Sequence, residues 1–493
     1  MIAVDLNQSN LEYDVNALVS AFFPQEEIHI ITPVMGQGKR EQYQESVKFQ
    51  IQVDDRTAKI TTEGLEFLWI YEPIEEGLEV SFKEGFKRFC YRTLHTLTGK
   101  NLPWGCLTGI RPTKLVYSML EECEAKGSAI QDATLRAQNH LTQKYYVSSP
   151  KSVLCVDIAK KERKVLTRIP KESGYSIYIA IPFCPTTCLY CSFLSYPIMT
   201  HRKLSQDYVD SLLEELRGTM SLLGQTQPDT IYIGGGTPTS LDEKTLEKLF
   251  VGLGQLFDFS KLYEFTVEAG RADSINEEKL AILKQSKISR LCINPQTMNQ
   301  ETLDLIGRKH SAAQVRTAFE LARQMGFDNI NMDIIVGLPG EGEVELQFTV
   351  DQIVDLKPDA MTVHALSVKR TAALKAWMSQ NGIPPVYNSQ SRMDIAANAA
   401  AQMDMKPYYL YRQKNISGNM ENIGYAVDRK EGLYNVLMME ECQSILAFGA
   451  GSISKFILPS GRIERQENPK QLDLYRSQIG ELIQKKAELI AQI

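Results

Sequence analysis

Three of the nine cysteines of this chain lie within eight residues, in the order Cys184, Cys188 and Cys191. They follow a short apolar run and have the spacing C-x3-C-x2-C. Three thiolates can hold three corners of a [4Fe–4S] cluster and leave the fourth iron open to a small chelating ligand. A structural zinc site needs four protein ligands, and the nearest histidine, His201, is ten residues beyond Cys191. The triplet therefore favours an iron–sulfur site, with zinc, or cysteines that bind no metal, as the alternatives.

The composition excludes several other classes of protein. Lys and Arg number 54 against 60 Asp and Glu, for a net charge of −6 over 493 residues, so no basic excess is available to hold a nucleic-acid backbone. No run approaches about 18 uninterrupted apolar residues, which argues against a membrane span. An odd cysteine count and an acidic start do not suggest a secreted disulfide protein. We expect a soluble cytoplasmic protein of several domains, with neither nucleic acid nor membrane as a partner.

Short β-like runs alternate with amphipathic helical stretches from about residue 176 onward. This rhythm predicts right-handed β-α-β crossovers and a parallel sheet, open or curled into a partial barrel, over residues 166–372. The second helix is expected to begin with a capping box of Ser240 and Glu243. The predicted strands are Ser176–Ile181, Thr230–Ile233, Tyr263–Glu268, Ile288–Asn294, Asn329–Val336 and Met361–Ala365. The predicted helices are Leu204–Leu223, Leu241–Phe257, Asn276–Gln285, Ala312–Met325 and Val344–Leu356.

Alternate residues along these strands, which share one face, are polar. Strands covered on both faces of a parallel sheet are normally apolar throughout. Such polar residues would line a single lumen, with the reactive ones near the C-terminal ends of the strands. The alternative is an internal hydrogen-bond network that only stabilises the barrel. The polar positions are Glu264, Thr266, Glu268, Arg290, Cys292, Asn294, Gln296, Asn329, Asn331, Asp333, Thr362 and His364.

The regions on either side of the predicted barrel have different patterns. Residues 1–165 predict an α+β domain, with a hairpin over residues 46–62 and a helix at Phe82–Thr98 that ends at Gly99. The segment Trp104–Lys114 (WGCLTGIRPTK) is either a functional loop or an ordinary connector. Residues 373–493 predict a mostly helical region that covers the substrate, closed by the amphipathic stretch Gln471–Ile493.

The cysteine triplet, with Tyr190 directly before its third cysteine, resembles the signature of the radical S-adenosylmethionine (SAM) superfamily. The run Ile231–Ser240 (IYIGGGTPTS) resembles an element that contacts SAM in the coproporphyrinogen-oxidase-like branch. Together with Tyr409–Asn415 (YLYRQKN) and the later FGAGSISK, it resembles the HemZ type of the oxygen-independent coproporphyrinogen III oxidase family. The resemblance covers roughly residues 178–455 and implies a partial (β/α)6 TIM-like barrel of the radical SAM type.

The resemblance also implies roles for individual residues. Cys184, Cys188 and Cys191 would hold the [4Fe–4S] cluster, and Ser367 would belong to a second SAM site after the sixth strand. His364 is a candidate catalytic residue, because it faces the predicted lumen, although a structural role for His364 or His310 is the alternative. The residues implied for cofactor binding are Tyr178, Tyr190, Gly235, Gly236, Thr237, Glu268, Gln296, Arg308, Asp333 and Ser367.

The family's reaction is the oxidative decarboxylation of two propionates of coproporphyrinogen III, which yields protoporphyrinogen IX in haem biosynthesis. The resemblance implies two SAM per cycle and a low-potential electron donor such as flavodoxin or ferredoxin. A tetrapyrrole with four carboxylates needs cationic partners, although each candidate could equally be an ordinary solvated cation. These candidates are Arg111, Lys114, Lys369, Arg370, Arg412, Lys414 and Lys455.

Two other functions share the same core. One is a radical SAM methyltransferase or ring-opening enzyme that acts on haem or another tetrapyrrole. The other is a haem-binding chaperone, whose family carries a histidine motif in its C-terminal region. This chain has no histidine beyond His364, and the corresponding stretch reads GNMENIGYA. The resemblance therefore favours an oxidoreductase over a chaperone.

Overall fold

The computed structural model describes residues 1–109, 111–127, 129–170, 174–224, 226–368, 373–382, 388–413 and 416–492. The α-helices are α1 (Glu12–Phe22), α2 (Gln37–Tyr43), α3 (Phe82–Thr98), α4 (Pro112–Ala125), α5 (Ile130–Asn139), α6 (Ser149–Leu166), α7 (Ile198–Leu223), α8 (Glu243–Leu256), α9 (Glu277–Gln285), α10 (Gln300–Leu305), α11 (Ala312–Gln324), α12 (Glu343–Leu356), α13 (Ala373–Gln380), α14 (Gln390–Gln402), α15 (Leu433–Glu440), α16 (Leu472–Ser477) and α17 (Ile479–Ile490).

The strands are β1 (Ile2–Leu6), β2 (Ile28–Ile31), β3 (Val47–Val53), β4 (Thr57–Thr62), β5 (Leu65–Ile70), β6 (Ile74–Glu75), β7 (Leu78–Glu79), β8 (Tyr175–Ile181), β9 (Phe183–Cys184), β10 (Tyr196–Pro197), β11 (Thr230–Gly235), β12 (Glu264–Gly270), β13 (Arg290–Ile293), β14 (Ile330–Val336), β15 (Ala360–Ala365), β16 (Lys406–Tyr411), β17 (Asn422–Ala426), β18 (Ser444–Phe448), β19 (Ile453–Ile457) and β20 (Ile463–Glu467).

The N-terminal region has the predicted α+β character. Five strands form a sheet in the order β2-β1-β3-β4-β5, and the predicted hairpin is the antiparallel pair β3–β4. Helix α3 has the predicted bounds: Ser81 and Glu84 form a capping box at its start, and Gly99 ends it with a φ of 68°. A left-handed conformation of this kind is easiest for glycine, which has no Cβ to clash. The domain boundary near residue 165 stays a prediction.

The predicted parallel strands form the centre of the second, larger sheet. Strands β8, β11, β12, β13, β14 and β15 are hydrogen-bonded neighbours in that order and run parallel. The six predicted strands are thereby confirmed. Since all six point the same way, their C-terminal ends meet at one end of the barrel, called the top here. The loop with the three cysteines follows β8 and β9, so it lies at the top.

The C-terminal region extends this sheet, which the sequence patterns do not reveal. Helical residues outnumber strand residues there, as predicted, but β16 and β17 join the β15 edge and β18 pairs in parallel with β8. Strands β19 and β20 continue from β18. The barrel sheet therefore contains eleven strands rather than six. The boundary near residue 372 stays a prediction.

The predicted capping box at Ser240 is wrong. Helix α8 begins at Glu243, and the side chain of Asp242 accepts the hydrogen bond from the Thr245 amide. The hydroxyl of Ser240 instead donates to the Phe183 carbonyl at 3.0 Å. Ser240 thus ties the loop after β11 to the strand that leads into the cysteines, and Asp242 caps the helix.

The lower part of the barrel lumen is filled by helix α15 from the C-terminal region. The Glu264 carboxylate accepts from the amides of Leu433 and Tyr434 at 2.6 and 3.1 Å, and Arg290 donates to the Lys430 carbonyl at 3.1 Å. A carboxylate at the start of a helix satisfies amides that have no partner within the helix. In this lower part of the lumen the polar strand residues form a hydrogen-bond network that stabilises the barrel. This is the alternative that the sequence left open.

Buried polar contacts join the N-terminal region to the barrel. Trp104 donates from Nε1 to Glu421 at 2.7 Å, and Lys151 pairs with the same carboxylate. Glu421 precedes β17 and is fully buried. Every helix in the described parts of the chain is either too short or too polar to cross a lipid bilayer.

Candidate functional site

The loop with Cys184, Cys188 and Cys191 is held at the top of the barrel by hydrogen bonds to the segment after α10. The Thr186 hydroxyl donates to the Gly307 carbonyl at 2.6 Å, and the Leu189 amide donates to the Ile306 carbonyl at 2.9 Å. The segment after α10 therefore fixes the middle of the loop. Within the loop, the Cys191 amide donates to the Cys188 carbonyl at 3.0 Å.

Two buried guanidinium groups lie against this loop. Arg271 donates to the hydroxyl of Thr186 at 2.6 Å and approaches the Cys188 sulfur at 3.9 Å. Arg308 hydrogen-bonds to Tyr190 and Cys188, and it donates to the Asn294 carbonyl at 2.6 Å. Positive charge at this place stabilises anionic thiolates. The sequence identified Arg308 but missed Arg271, whose only signal is its position one residue after β12.

The donor chemistry of the loop fits an iron–sulfur cluster. The three cysteines are free and partly buried, and the Thr237 hydroxyl lies 3.5 Å from the Cys184 sulfur. Burial raises the pKa of Cys184 to about 11, so its thiolate needs a cationic partner such as iron. Within the described residues, no three His, Cys, Asp or Glu side chains are already arranged to hold a metal ion. The fit therefore rests on three soft donors and two guanidinium groups, and not on a preassembled ligand geometry.

The glycine run after β11 packs directly against the strand that carries Cys184. A Cβ on Gly236 would lie 2.6 Å from the Phe183 carbonyl oxygen and 2.7 Å from that of Ile181. The amide of Gly236 donates to the Ile181 carbonyl at 2.8 Å, and the amide of Thr237 donates to the Phe183 carbonyl at 2.7 Å. Gly235 has a φ of 100°, which a residue with a Cβ rarely adopts. This close approach brings Thr237 to the first cysteine.

The upper lumen contains a carboxyl group whose pKa is strongly raised. The pKa of Glu268 is raised to about 7, mainly by burial; the nearby Asp333 carboxylate adds to the rise, and the Tyr232 hydroxyl that donates to Glu268 opposes it. On β14, two strands away from β12, burial acts to raise the pKa of Asp333, but hydrogen bonds from His364 and Asn331 outweigh it and hold that pKa below its ordinary value. The two carboxyl groups thus differ in protonation near neutral pH.

His364 lies between an acid and a phenol in the same lumen. Its Nε2 is 3.6 Å from Asp333 Oδ2, and its Nδ1 is 3.4 Å from the Tyr411 hydroxyl. Asp333 also accepts from Asn331 at 2.6 Å, and Thr362 donates to Asn331 at 3.1 Å. This chain of contacts orients the imidazole without enclosing it, since the ring is 29% exposed.

Several buried polar atoms beside these groups have no hydrogen-bond partner. They are Gln296 Oε1, Asn294 Oδ1 and the Tyr434 hydroxyl. Gln296 also has a φ of 69°, an unusual backbone conformation for this residue, with its amide bonded to the Asp333 carbonyl at 2.9 Å. Unpaired buried polar atoms cost free energy, and a polar ligand would offset that cost. The residues present therefore fit a ligand such as SAM, which carries ammonium, carboxylate, hydroxyl and adenine groups.

Sequence reasoning missed two aromatic residues of the lumen. Tyr232 and Tyr434 stack with ring centroids 4.7 Å apart, and Tyr178 stands 6.1 and 6.4 Å from them. Tyr232 shares the polar parity of its strand and was detectable by that signal. Tyr434 is on α15, just over 200 residues further along the chain, and no local pattern points to it.

His310 and Ser367 lie at the edges of the site. His310 is fully buried, with Nδ1 3.7 Å from Asp273. Asp273 in turn pairs with Arg271 at 2.7 Å, so His310 supports the guanidinium beside Cys188. Ser367 forms a β-bridge with Ile416 above the end of β15. Its predicted role in a second SAM site stays a prediction.

Of the candidate cations for a carboxylate substrate, those that the structure describes are not grouped around the lumen. Arg111, Lys114 and Lys455 converge on the Glu441 carboxylate at 2.7, 3.6 and 3.5 Å. Glu441 directly follows α15 and is three residues before β18, level with the N-terminal ends of the parallel strands and opposite the cysteine loop. Arg111 and Lys114 therefore join the N-terminal region to the barrel, and Lys455, on β19 of the barrel sheet, pairs with the same carboxylate. Lys369, Arg370 and Lys414 lie outside the described residues, and Arg412 is buried at another place.

Residues 178–353 match the sequence profile of the Radical SAM superfamily, and the barrel with its cysteine loop defines a protein of that class. Over 431 residues the chain is 37% identical to the oxygen-independent coproporphyrinogen-III oxidase-like protein HemZ of Bacillus subtilis, with 84% of each chain covered. The chain therefore belongs to the oxygen-independent coproporphyrinogen III oxidase-like family. Membership implies a [4Fe–4S] cluster and SAM as cofactors.

Two further likenesses bear on the branch of the family. The haem chaperone HemW of Bacillus subtilis is 40% identical over 195 residues, which cover 39% of this chain and 51% of that protein. The solved structure of coproporphyrinogen III oxidase (HemN) from Escherichia coli superposes with a TM-score of 0.50 at 22% identity and covers 64% of this chain and 71% of that one. The structural likeness shows the shared fold.

Proposed function

We propose that this protein is an oxidoreductase of the HemZ type, which decarboxylates two propionates of coproporphyrinogen III to vinyl groups and forms protoporphyrinogen IX. The observation that carries the proposal is the imidazole of His364, held between Asp333 and Tyr411 in the lumen beside Glu268. A partly exposed imidazole at this place can hold a propionate carboxylate in a fixed orientation. The HemZ protein, which is similar to this chain over 84% of its length, supports the same function.

The cluster and SAM, when bound, supply the radical that takes a hydrogen atom from the β-carbon of the propionate; CO2 then leaves, and an external acceptor takes the remaining electron. The residues of the chain bind the cofactors, orient the substrate and exclude water. Cys184, Cys188 and Cys191 would hold the cluster, and Glu268 and Gln296 would hold SAM. His364 would orient the reacting carboxylate.

We also propose the partners and the location of this protein. Two propionates require two SAM per product, with Ser367 in the second SAM site. A low-potential donor such as flavodoxin or ferredoxin would reduce the cluster, and the cytoplasm is the compartment that the cysteine usage favours.

The test is anaerobic incubation of the reduced, cluster-loaded protein with SAM and coproporphyrinogen III, followed by mass spectrometry of the porphyrins. Decarboxylation predicts a mass loss equal to two formic-acid equivalents. His364→Gln should lower product formation while SAM binding persists, whereas His95→Gln, in the N-terminal helix α3, serves as the matched control. Added methyl groups or an opened ring would assign the protein to the other tetrapyrrole chemistries and reject decarboxylation.

The second candidate is a haem chaperone, which the 40% identity to HemW over 195 residues favours. That likeness covers 39% of this chain and leaves more than half of it unmatched. The two functions separate in one experiment. A chaperone binds haem in a fixed ratio and transfers it without changing porphyrin mass, whereas the proposed enzyme consumes SAM and changes the mass of its substrate.

A further inference from the structure

Arg412 is a buried guanidinium at the junction between the barrel and the N-terminal region. It follows β16 directly and is 5% exposed. Its Nη1 donates to the carbonyls of Leu107 and Gly109, at 2.5 and 3.5 Å, and its Nη2 donates to the Asn419 side chain. Its charged carbon lies 5.6 Å from the centre of the Trp104 ring. All of these partners are neutral.

The carboxylate that acts on the charge of Arg412, Glu421, has other partners. Glu421 accepts from Trp104 and pairs with Lys151, whose charge already compensates it. The Nε of Arg412 is buried and has no hydrogen-bond partner. A buried cation without an anionic partner is costly, and a carboxylate that formed a pair with it would offset that cost.

Comparison with the other buried arginines shows how unusual this environment is. Arg88 pairs with Glu75 at 3.0 Å and Arg271 with Asp273 at 2.7 Å. Nearby ionisable groups raise the pKa of three buried arginines against the effect of burial: Glu75 acts on Arg88, Tyr408 and Glu264 act on Arg290, and Tyr190 acts on Arg308. Burial instead lowers the pKa of Arg412 to about 10, because Glu421 compensates it only in part. Even so, Arg412 stays charged at neutral pH.

A cavity of about 560 Å³ opens beside Arg412. Its volume is in the range of about 300–1,000 Å³ that is typical of small-molecule sites. One wall is the face of α1 that includes Asn16 and Ala17, and the opposite wall contains Leu107, Thr108 and Asn419. Among the described lining residues, hydrogen-bonding groups and apolar side chains surround one cation, Arg412. The acidic residue among the lining side chains, Glu12, is exposed at the rim.

We propose that this cavity is a binding site for a small carboxylate-bearing molecule, which pairs with Arg412 and lies between α1 and the end of β16. The site is separate from the cysteine loop and from the SAM-binding lumen. It is also next to the lumen wall, since Tyr411, the residue before Arg412, contacts His364. The shared chemistry is a carboxylate on a compact, partly apolar body. Two kinds of ligand carry such a carboxylate: an aliphatic dicarboxylate and a tetrapyrrole with a propionate side chain.

The test is calorimetric titration of the full-length, cluster-loaded protein without SAM. Succinate and coproporphyrin III are the two probes, and dimethyl succinate is the uncharged control. We expect saturable binding of at least one acid and none of the diester. Arg412→Gln should weaken that binding by about tenfold or more, the usual effect of losing a charged hydrogen-bond donor.

Ala17→Phe keeps the experiment decisive if Arg412→Gln fails to fold. The larger side chain fills the cavity from the α1 wall and leaves Arg412 in place, so binding should be lost while SAM cleavage is unchanged. The proposal is overturned if neither acid binds below about 10 mM, or if the binding observed is the same in Ala17→Phe. Because SAM cleavage is measured separately, failure of this site and failure of the proposed function are different results.

Discussion

The affinity of this protein for SAM should depend on pH through Glu268. This carboxyl group stands in the upper lumen, where burial raises its pKa to about 7 and the Tyr232 hydroxyl donates to it. If the carboxylate accepts hydrogen bonds from bound SAM, the ionised form binds more tightly than the protonated form. Glu268→Gln keeps the shape of the side chain and removes the titration.

The size of the effect follows from the fraction of Glu268 that is ionised before SAM binds. With a pKa of about 7, about one tenth is ionised at pH 6 and about nine tenths at pH 8. The affinity of the wild-type protein should therefore rise about tenfold from pH 6 to pH 8 and level off above that. The direction is set by the raised pKa: an ordinary glutamate would already be ionised at pH 6.

Equilibrium dialysis of SAM against the anaerobic, cluster-loaded protein measures this dependence. The ratio of wild-type to Glu268→Gln affinity at each pH cancels the titrations that belong to SAM itself. Asp229→Asn is the matched control, since burial raises the pKa of Asp229 too, but this group lies at the lower end of β11. The reasoning is refuted if the ratio is flat between pH 6 and pH 8, or if Asp229→Asn removes the rise.

Three other substitutions test the cluster loop and the packing around the barrel. Cys188→Ala should abolish cluster retention and SAM cleavage while the chain stays folded, as iron analysis and circular dichroism would show; undiminished cleavage would remove the triplet from the site. Gly236→Ala should cost about 1–3 kcal/mol and release iron, because its Cβ meets two backbone carbonyls, whereas Gly480→Ala, with open space around its Cβ, should do neither. Lys486→Met should lower the free energy of unfolding in denaturant by about 3–5 kcal/mol, because it leaves buried Glu215 without its cation. The double variant with Glu215→Gln should recover part of that loss, and no recovery would contradict the ion pair.

Much of the barrel was predictable because its signals are local. Alternation of strands and amphipathic helices depends on neighbours along the chain, so the six parallel strands emerged within one or two residues of their observed bounds. The polar parity of Glu268 and Asp333 likewise follows from the two-residue period of a strand. The strands of the C-terminal region escaped prediction because they are short and lie at both edges of a sheet formed by distant segments.

The candidate site divides in the same way. The spacing of the three cysteines and the glycine run after β11 can be read directly, because each motif is contiguous. Arg271 and Tyr434 gave no such signal, since their importance arises from contacts with residues more than 80 and 200 positions away. For Arg111 the sequence left two roles open, a substrate contact or an ordinary cation, and only the fold reveals that it pairs with Glu441.

By itself the sequence determined that this chain forms a parallel α/β core with a cluster-binding loop after its first strand. Those properties follow from periodicity and spacing within short segments. Only the tertiary structure decided which polar residues face a ligand and which hold the protein together. Glu264 and Glu268 share one face of β12, yet one caps helix α15 and the other stands in the open lumen. That difference depends on where the C-terminal region packs, and long-range packing is not encoded in any local pattern.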